Sequence, residues 1–192
     1  MPLLTVIAGP NGSGKTSFTR TVDLGELLNP DEIAAQLNPE SPIRAAIQAG
    51  REVLKRISAN LRAGKSFSLE TTLAGEGPLK AIRTAKKYGF VVHLIYIALD
   101  TPERNIRRVR ERVARGGHYV PDEDVRRRYQ RSITNAAEAI RLVDKASVFD
   151  NSGSRPRHVL EARNGVITWQ AQNPPDWVVR IIDACRGRVT GT

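Results

Sequence analysis

Residues 9–16 combine three glycines with a lysine and a threonine, a set that could hold phosphate. They read "GPNGSGKT" and lie between an apolar run and a segment of helical periodicity. In such a loop, glycines let consecutive backbone N–H groups surround an anion, and the next helix directs its positive end at it. The Lys15 ammonium can reach the β- and γ-phosphates of a nucleotide, and the Thr16 hydroxyl can ligate Mg²⁺.

The G-x-x-x-x-G-K-T pattern therefore predicts a phosphate-binding loop, or P-loop, for ATP or GTP, and not a glycine turn with a chance lysine. The residues predicted to bind the nucleotide are Gly9, Pro10, Asn11, Gly12, Ser13, Gly14, Lys15, Thr16 and Ser17. Thr16 is also the predicted metal ligand.

Two acidic residues follow predicted strands and could act on a second substrate. Asp31 comes after a short strand at 26–29, and Glu70 ends the strand "SFSLE". Because parallel sheets bind ligands at the carboxyl ends of their strands, both carboxylates should face the nucleotide. Asp31 is the candidate base for an acceptor hydroxyl, and Glu70 could bind Mg²⁺ through water or hold the acceptor with Thr71 and Thr72. The alternatives are a helix-capping aspartate and a solvated glutamate at a strand end.

Ten arginines fall within residues 104–131, on two predicted helices. Four share a narrow sector of the first helix, opposite its apolar side, and three cluster on the second. They are Arg104, Arg108, Arg112 and Arg115, then Arg127, Arg128 and Arg131. With Gly116 and Gly117 between the helices, the pattern is typical of a lid that closes over a triphosphate and neutralises transition-state charge. The alternative is a solvated basic face balanced by nearby acids.

Several other residues carry weaker indications. Asp100 follows "LIYIAL" as a metal-binding Walker B acid would, but "DTPE" is also a good helix start, and we favour a helix cap at Asp100 or Thr101. His118, beside the two glycines, is expected to be structural or exposed. Asn151 and Ser152, in a loop after a late strand, could contact the nucleotide base.

Composition restricts the class of protein. No apolar run approaches the ~20 residues of a membrane helix, and no basic segment precedes the first apolar run, so we expect neither a membrane span nor a secretory signal. The single cysteine, Cys185, excludes an internal disulfide, and a reduced cytoplasm fits best. The net charge of +10 is compatible with binding to a nucleic acid, an anionic lipid or a phosphorylated substrate. Only Tyr119 and Tyr129 lie near the arginines as stacking candidates, which argues against nucleic acid.

The elements that must position these residues alternate along the chain. Strands are predicted at 6–8, 26–29, 66–70, 90–99 and 146–153, and helices at 15–22, after Pro30, at 42–63, 78–88, from 102, at 122–143 and at 177–185. The run "FVVHLIYIAL" is typical of a central parallel strand buried on both faces. Asn164-Gly165 between two alternating runs predicts a hairpin.

This alternation predicts an α/β P-loop NTPase fold, a three-layer sandwich with a mostly parallel central sheet, a helical arginine-rich lid, and a C-terminal β-hairpin and helix. We expect one kinase domain over 1–192, with the lid at about 102–131 and the hairpin and helix at about 156–186. Trp169 and Trp177 are expected to pack that end against the sheet. In the helix at 42–63 the predicted apolar face consists of Ile43, Ile47, Gly50, Leu54, Ile57 and Leu61.

Four segments taken in order resemble the zeta-toxin family of P-loop kinases, in particular its compact stand-alone members. They are "GPNGSGKTS", "NPDEIAAQLNP", "SLETTLAG" and "RVRERVARGGHYVPDEDVRRRYQRS". The resemblance covers about residues 3–153 and implies an ATP-dependent kinase, whose characterised members phosphorylate a hydroxyl of the sugar in UDP-N-acetylglucosamine.

The resemblance also implies roles for single residues. Lys15 would bind phosphate, Asp31 would be the base, and Glu70 would help to bind the acceptor sugar. The arginines that contact the γ-phosphate would be among Arg112, Arg115, Arg128 and Arg131. An antitoxin protein is an implied partner. The chain is shorter than the well-known toxins and lacks room for their extra substrate-binding elements, so the donor is better defined than the acceptor.

The main hypothesis is a cytoplasmic Mg-ATP-dependent kinase that acts on a small-molecule or nucleotide-sugar hydroxyl. One alternative is a nucleotide-dependent nucleic-acid-binding protein, which a steep salt dependence of RNA or DNA binding would reveal. The other is a regulatory ATP-binding module without transfer activity.

Overall fold

The computed structural model describes residues 1–19, 24–117 and 119–187. Its strands are β1 (Leu3–Ala8), β2 (Leu27–Leu28), β3 (Phe67–Thr71), β4 (Val91–Ala98), β5 (Lys145–Asp150), β6 (Arg157–Arg163) and β7 (Val166–Gln170). Its helices are α1 (Lys15–Thr19), α2 (Pro30–Leu37), α3 (Pro42–Ala63), α4 (Glu76–Lys87), α5 (Pro102–Val113), α6 (Asp122–Leu142) and α7 (Asp176–Arg186). The predicted end of the first helix at residue 22 lies outside the described residues, as does His118.

The described strands form one sheet in the order β2-β3-β1-β4-β5-β6-β7. The first five pair in parallel, and β6 and β7 add an antiparallel hairpin. Asn164 and Gly165 have φ angles of 49° and 78°, which a two-residue hairpin turn requires. Because β1 lies between β3 and β4, the loop that follows β1 is flanked by the carboxyl ends of both strands. The predicted α/β P-loop fold with a mostly parallel sheet is confirmed.

The sheet interior carries the main core. Val92, Leu94 and Tyr96 of β4 are at most 1 % exposed, and Leu4 and Val6 of β1 are fully buried. Burial of each large apolar side chain contributes roughly 1.5–3 kcal/mol to folding. The strand predicted as central, β4, is therefore central. It lies next to β1, which leads into the P-loop.

Two capping side chains define where α2 and α5 begin at the carboxyl edge of the sheet. The Asn29 side chain caps α2 by accepting hydrogen bonds from the backbone N–H groups of Asp31 and Glu32. At α5 the cap is Thr101, whose hydroxyl accepts from the Arg104 N–H. Thr101 has the extended backbone that a cap needs, whereas Asp100 forms an ion pair with the Arg104 side chain at 2.9 Å. Of the two caps predicted, Thr101 is the one observed.

The predicted apolar face of α3 is wrong in its first half. Ile43, Ile47 and Leu54 are 64, 76 and 60 % exposed. The buried side is about a third of a turn away and is built from smaller residues, Ala45, Ala49 and Val53, before it reaches Ile57 and Leu61. Small side chains face the protein because α2 packs closely along α3. Periodicity alone selected the larger side chains.

The two tryptophans behave differently. Trp177 on α7 is 1 % exposed and packs against Tyr96 with ring centroids 6.0 Å apart, as predicted. Trp169 lies on the edge strand β7, is 46 % exposed, and stacks on His158 instead of entering the core. Its prediction as a packing residue is wrong because β7 is at the edge of the sheet that the described strands form.

A second, smaller apolar cluster joins α5 to the start of α6. Its buried members are Ile106, Val109, Val120 and Val125. They hold the two arginine-rich helices together on the apolar sides that the sequence predicted. Among the described residues, no helix combines the length and apolar character needed to cross a bilayer.

Candidate active site

The P-loop leaves no room for side chains at two of its glycines. A Cβ at Gly9 would lie 1.9 Å from the carbonyl oxygen of Ile97, and one at Gly12 would lie 2.6 Å from that of Asn105. Both glycines have positive φ angles, 148° and 76°. Only glycine combines this backbone conformation with such close approach, and this is the geometry of a phosphate-binding loop.

Lys15 is folded back onto the loop that precedes it. Its Nζ donates to the carbonyl oxygens of Gly9 at 2.7 Å and Pro10 at 3.1 Å. Burial lowers the pKa of Lys15 to about 8; the carboxylates of Glu70 and Asp31 oppose this shift, and the Arg112 guanidinium adds to it. The ammonium therefore lies in a poorly solvated place, where an anion would stabilise its charge.

Two asparagines from distant parts of the chain hold the P-loop from outside. Asn105 on α5 is fully buried and donates to the Asn11 carbonyl oxygen at 2.6 Å. Asn151, after β5, donates to the Ser13 carbonyl oxygen at 2.8 Å. The first half of α5 is therefore fixed to the loop.

A chain of side-chain hydrogen bonds joins the P-loop to the start of α2. Glu70 at the end of β3 accepts from the Thr16 hydroxyl at 3.3 Å and from the Asn29 amide at 3.2 Å. Burial raises the pKa of Glu70, although Lys15 and the Thr16 hydrogen bond pull it down. Glu70, and not Asp100, is the acid placed beside the predicted metal ligand.

Asp31 lies in the first turn of α2, one residue after Pro30. The Asn29 cap receives its backbone N–H, and Asp31 itself lines the cleft. Its charge acts on both Lys15 and Glu70, so the three groups share one electrostatic environment. The sequence left two roles open for Asp31, a helix cap and a base. The side chain that caps α2 is that of Asn29, so Asp31 is not the cap.

These groups surround a cavity of about 900 Å³. It is lined by Asn11, Gly12, Gly14, Lys15, Thr16, Ser17, Asn29, Pro30, Asp31, Glu70, Thr71, Thr72, Arg108, Glu111, Arg112, Arg115, Gly116, Gly117, Arg128 and Asn151. Gly9, Pro10 and Ser13 are not in the lining; they form the back of the loop. The lining includes the predicted acids and three of the four candidate lid arginines, but not Arg131, which is exposed on α6.

Some arginines of α5 and α6 contact backbone carbonyl groups, and others form ion pairs with acidic side chains. Arg104 and Arg108 donate to the carbonyl oxygens of Ser152 and Asn151, at 2.9 and 2.8 Å. Further out, Arg110 pairs with Asp122, Arg126 with Glu103 and Arg127 with Asp124. Five of the ten arginines therefore hold α5, α6 and the loop after β5 together.

Arg128 occupies an intermediate position. It reaches Asn11 Oδ1 on the P-loop at 3.4 Å and Asp124 at 3.7 Å, both long contacts. Arg112 and Arg115 line the cavity beside Gly116 and Gly117, and the positive charge of Arg112 helps to lower the pKa of Lys15.

Sequence reasoning missed the asparagines at 29 and 105 and the holding role of Arg108. Asn29 precedes Pro30, and an asparagine before a proline and an acid is a capping signal that could have been recognised. Nothing local marks Asn105, because its partner is distant in the sequence. Asn151 was predicted to contact a base, and in the structure its side chain amide contacts the P-loop backbone.

Comparison with known proteins places the chain in a family. Residues 4–135 match the model of the AAA domain family AAA_33. An uncharacterized protein of Haemophilus influenzae is 37 % identical over 124 residues, which are 63 % of this chain and 88 % of the relative.

Solved structures share the fold at low identity. A chain of the AvrRxo1-ORF1:AvrRxo1-ORF2 complex, solved with sulphate ions, matches with a TM-score of 0.70 at 18 % identity, and the present chain is covered completely but spans only 66 % of that chain. A chain of the PezAT chromosomal toxin–antitoxin system of Streptococcus pneumoniae matches with a TM-score of 0.60 at 14 % identity, over 100 % of this chain and 88 % of the other. The family match, the sheet order and the P-loop geometry agree, and the chain belongs to the AAA domain family AAA_33.

Proposed function

We propose that the protein is a Mg-ATP-dependent kinase that transfers the γ-phosphoryl group to a hydroxyl of a small acceptor. One observation carries the proposal: the P-loop, Asp31, Glu70 and the lid arginines surround a single cavity. A module that only held nucleotide would need the loop and the metal site but no further carboxylate at the cleft.

The described residues fit ATP and Mg²⁺. The glycine positions that exclude a Cβ form a phosphate-binding loop, and the Lys15 ammonium contacts the backbone of this loop at Gly9. The Thr16 hydroxyl and the Glu70 carboxylate form an adjacent pair of oxygen donors, the type that Mg²⁺ prefers. Thr16 would ligate the metal directly and Glu70 through water. When bound, Mg²⁺ supplies charge neutralisation at the β- and γ-phosphates.

Asp31 is the proposed base. Its carboxylate takes the proton of the acceptor hydroxyl as the oxygen attacks the γ-phosphorus and ADP leaves. Lys15, Arg112, Arg115 and Arg128 hold the charge that spreads over the phosphoryl oxygens. We propose residues 102–131 as the lid and 1–192 as one kinase unit, with motion confined to the outer part of the lid, because Asn105 and Arg108 fix its base.

The acceptor is proposed from the resemblance to zeta toxins. A nucleotide sugar such as UDP-N-acetylglucosamine is the first candidate, and an antitoxin is the first candidate partner. Two structural relatives come from complexes or systems with a second protein, AvrRxo1-ORF2 and the PezA–PezT pair. These relatives support the idea of a protein-regulated kinase.

Replacement of the proposed base tests the reaction. We expect Asp31→Asn to bind ATP as the wild type does and to lose at least about 100-fold in phosphoryl transfer, the range of general-base effects. ADP release is measured with UDP-N-acetylglucosamine, and a metabolite extract is searched by mass spectrometry for a species heavier by one phosphate. Asp176→Asn, in the first turn of α7, is the matched control. A fully active Asp31→Asn enzyme would remove the base from the mechanism.

A further inference from the structure

The exposed side of α3 carries a regular apolar row that the fold does not use. Ile43, Ile47, Gly50 and Leu54 follow one another at intervals of four, three and four residues. This is the spacing of the seam of a coiled coil, and it runs for about 16 Å. The three large side chains are 60 to 76 % exposed. We call these four residues the α3 seam.

Gly50 is a separate observation that points to close contact. Glycine in the middle of a helix weakens it relative to alanine. A Cβ at Gly50 would meet no heavy atom within 4 Å, so packing within the chain does not require glycine there. Glycine at the centre of a seam lets a second helix approach the backbone closely.

One flank of the α3 seam is basic. Arg44, Arg51 and Lys55 each follow a seam residue by one position, which places them about 100° around the helix on the same side. Among the described residues, an ion pair of this helix joins Arg56 to Glu52, outside that flank, and the Glu52 charge also acts on Lys55. A partner that covers the seam would therefore place its own flanking residues beside the positive charges of Arg44 and Arg51.

We propose that the α3 seam binds a helix of another protein, with an apolar seam of its own and an acidic flank. A second copy of this chain would bring two basic flanks together and is disfavoured. A membrane surface is disfavoured because the row has a glycine at its centre and no aromatic residue, whereas interfacial helices bury Trp, Phe and Leu. The proposal is independent of the reaction proposed above.

A designed peptide provides the test. The probe is a labelled three-heptad peptide with isoleucine and leucine at seam positions and glutamate at the flanks; the comparison peptide has lysine at the flanks. Fluorescence anisotropy with the 192-residue protein at low salt should show the acidic peptide binding at least about tenfold more tightly than the basic one. Ile47→Asp and Gly50→Leu should each weaken binding at least about tenfold, a difference of about 1.4 kcal/mol.

Gly50→Leu separates binding from folding. Leucine favours the helix over glycine, so the unfolding midpoint of this variant should stay equal or rise by a few degrees (about 2–4 °C) while binding is lost. Val166→Asp, at another exposed apolar position on β7, is the matched control and should bind as the wild type does. The proposal is overturned by equal affinity for both peptides, by absence of binding, or by unchanged binding of the two α3 variants. Dimerisation that Gly50→Leu abolishes, or adhesion to anionic vesicles that it abolishes, would assign the row to a second copy or to a membrane instead.

Discussion

At the scale of single residues, Asn29 has two roles that one side chain performs together. Its Oδ1 caps α2 and so orients Asp31, and its Nδ2 holds Glu70. The carboxylate proposed as base and the carboxylate proposed beside the metal are therefore positioned by the same amide. This makes Asn29 a positioning residue whose two functions can be separated by substitution.

We expect Asn29→Asp to keep the helix cap but to lose the donor to Glu70 and to bring two carboxylates together. Phosphoryl transfer should fall at least about tenfold while the free energy of unfolding changes by less than about 1 kcal/mol. Asn29→Ala loses the cap as well and should cost about 0.5–2 kcal/mol. Denaturant unfolding and turnover are measured on both. Equal loss of stability and activity in the two variants would mean that Asn29 acts on the fold alone.

Lys15 predicts a pH dependence of nucleotide binding. The lysine pKa in the free protein is about 8, below its ordinary value, and bound phosphate would raise it by favouring the charged form. Below pH 8 the ammonium is already charged, so affinity should be nearly constant. Above pH 8 binding requires uptake of a proton, so affinity should fall by up to about tenfold per pH unit.

The measurement is a titration with a non-hydrolysable ATP analogue between pH 7 and 9.5. Lys80→Met, which removes an exposed lysine of α4, should keep the full pH dependence. Lys15→Met should bind weakly at every pH. A wild-type affinity that stays constant up to pH 9.5 would contradict the prediction.

At the scale of elements, the sequence predicted most helices and strands, because their signals are local. Pro102, Gly64 and the Asn164-Gly165 turn each end or begin an element through their own backbone preferences. The face of α3 was not predictable in this way. Which side of that helix is buried depends on α2, whose close packing selects alanines over Ile43 and Ile47. In the same way, the holding roles of Arg104 and Arg108 have no local signal, because their carbonyl partners lie 48 and 43 residues further along the chain.

The small cluster between α5 and α6 predicts a local effect on the segment proposed as the lid. Val120→Ala removes two methyl groups from a cluster outside the main core. We expect faster amide hydrogen exchange over the outer part of α5 and the start of α6, and a higher KM for ATP, with a loss of global stability below about 1.5 kcal/mol. Val92→Ala in the main core should lower global stability more and leave KM unchanged. Uniform exchange changes in both variants would show that this segment has no stability of its own.

At the scale of the whole molecule, the family match ends at residue 135 but the packing does not. Asn151 contacts the P-loop, and α7 packs on α6 and on the sheet through Trp177. The hairpin and last helix are therefore part of the structure that supports the site. The hairpin and the helix were predictable from the turn signal and the apolar pattern. The exposure of Trp169 and the burial of Trp177 were not, because they depend on which strand forms the edge of the sheet.

This difference gives a prediction on stability. Trp177→Ala should lower the free energy of unfolding by about 3–5 kcal/mol, because it leaves a large cavity beside Tyr96. Trp169→Ala should cost less than about 1 kcal/mol, since the side chain is 46 % exposed. Both are measured by urea unfolding followed by circular dichroism. Similar losses in the two variants would contradict the assignment of the edge strand.

The two asparagine contacts also set an order of events during synthesis. The glycine loop leaves the ribosome early, but the groups that brace it follow 94 and 138 residues later. At a translation rate of 5–20 residues per second, the second delay is roughly 7–30 s. A nascent chain thus completes the support of its P-loop only after Asn151 has been made.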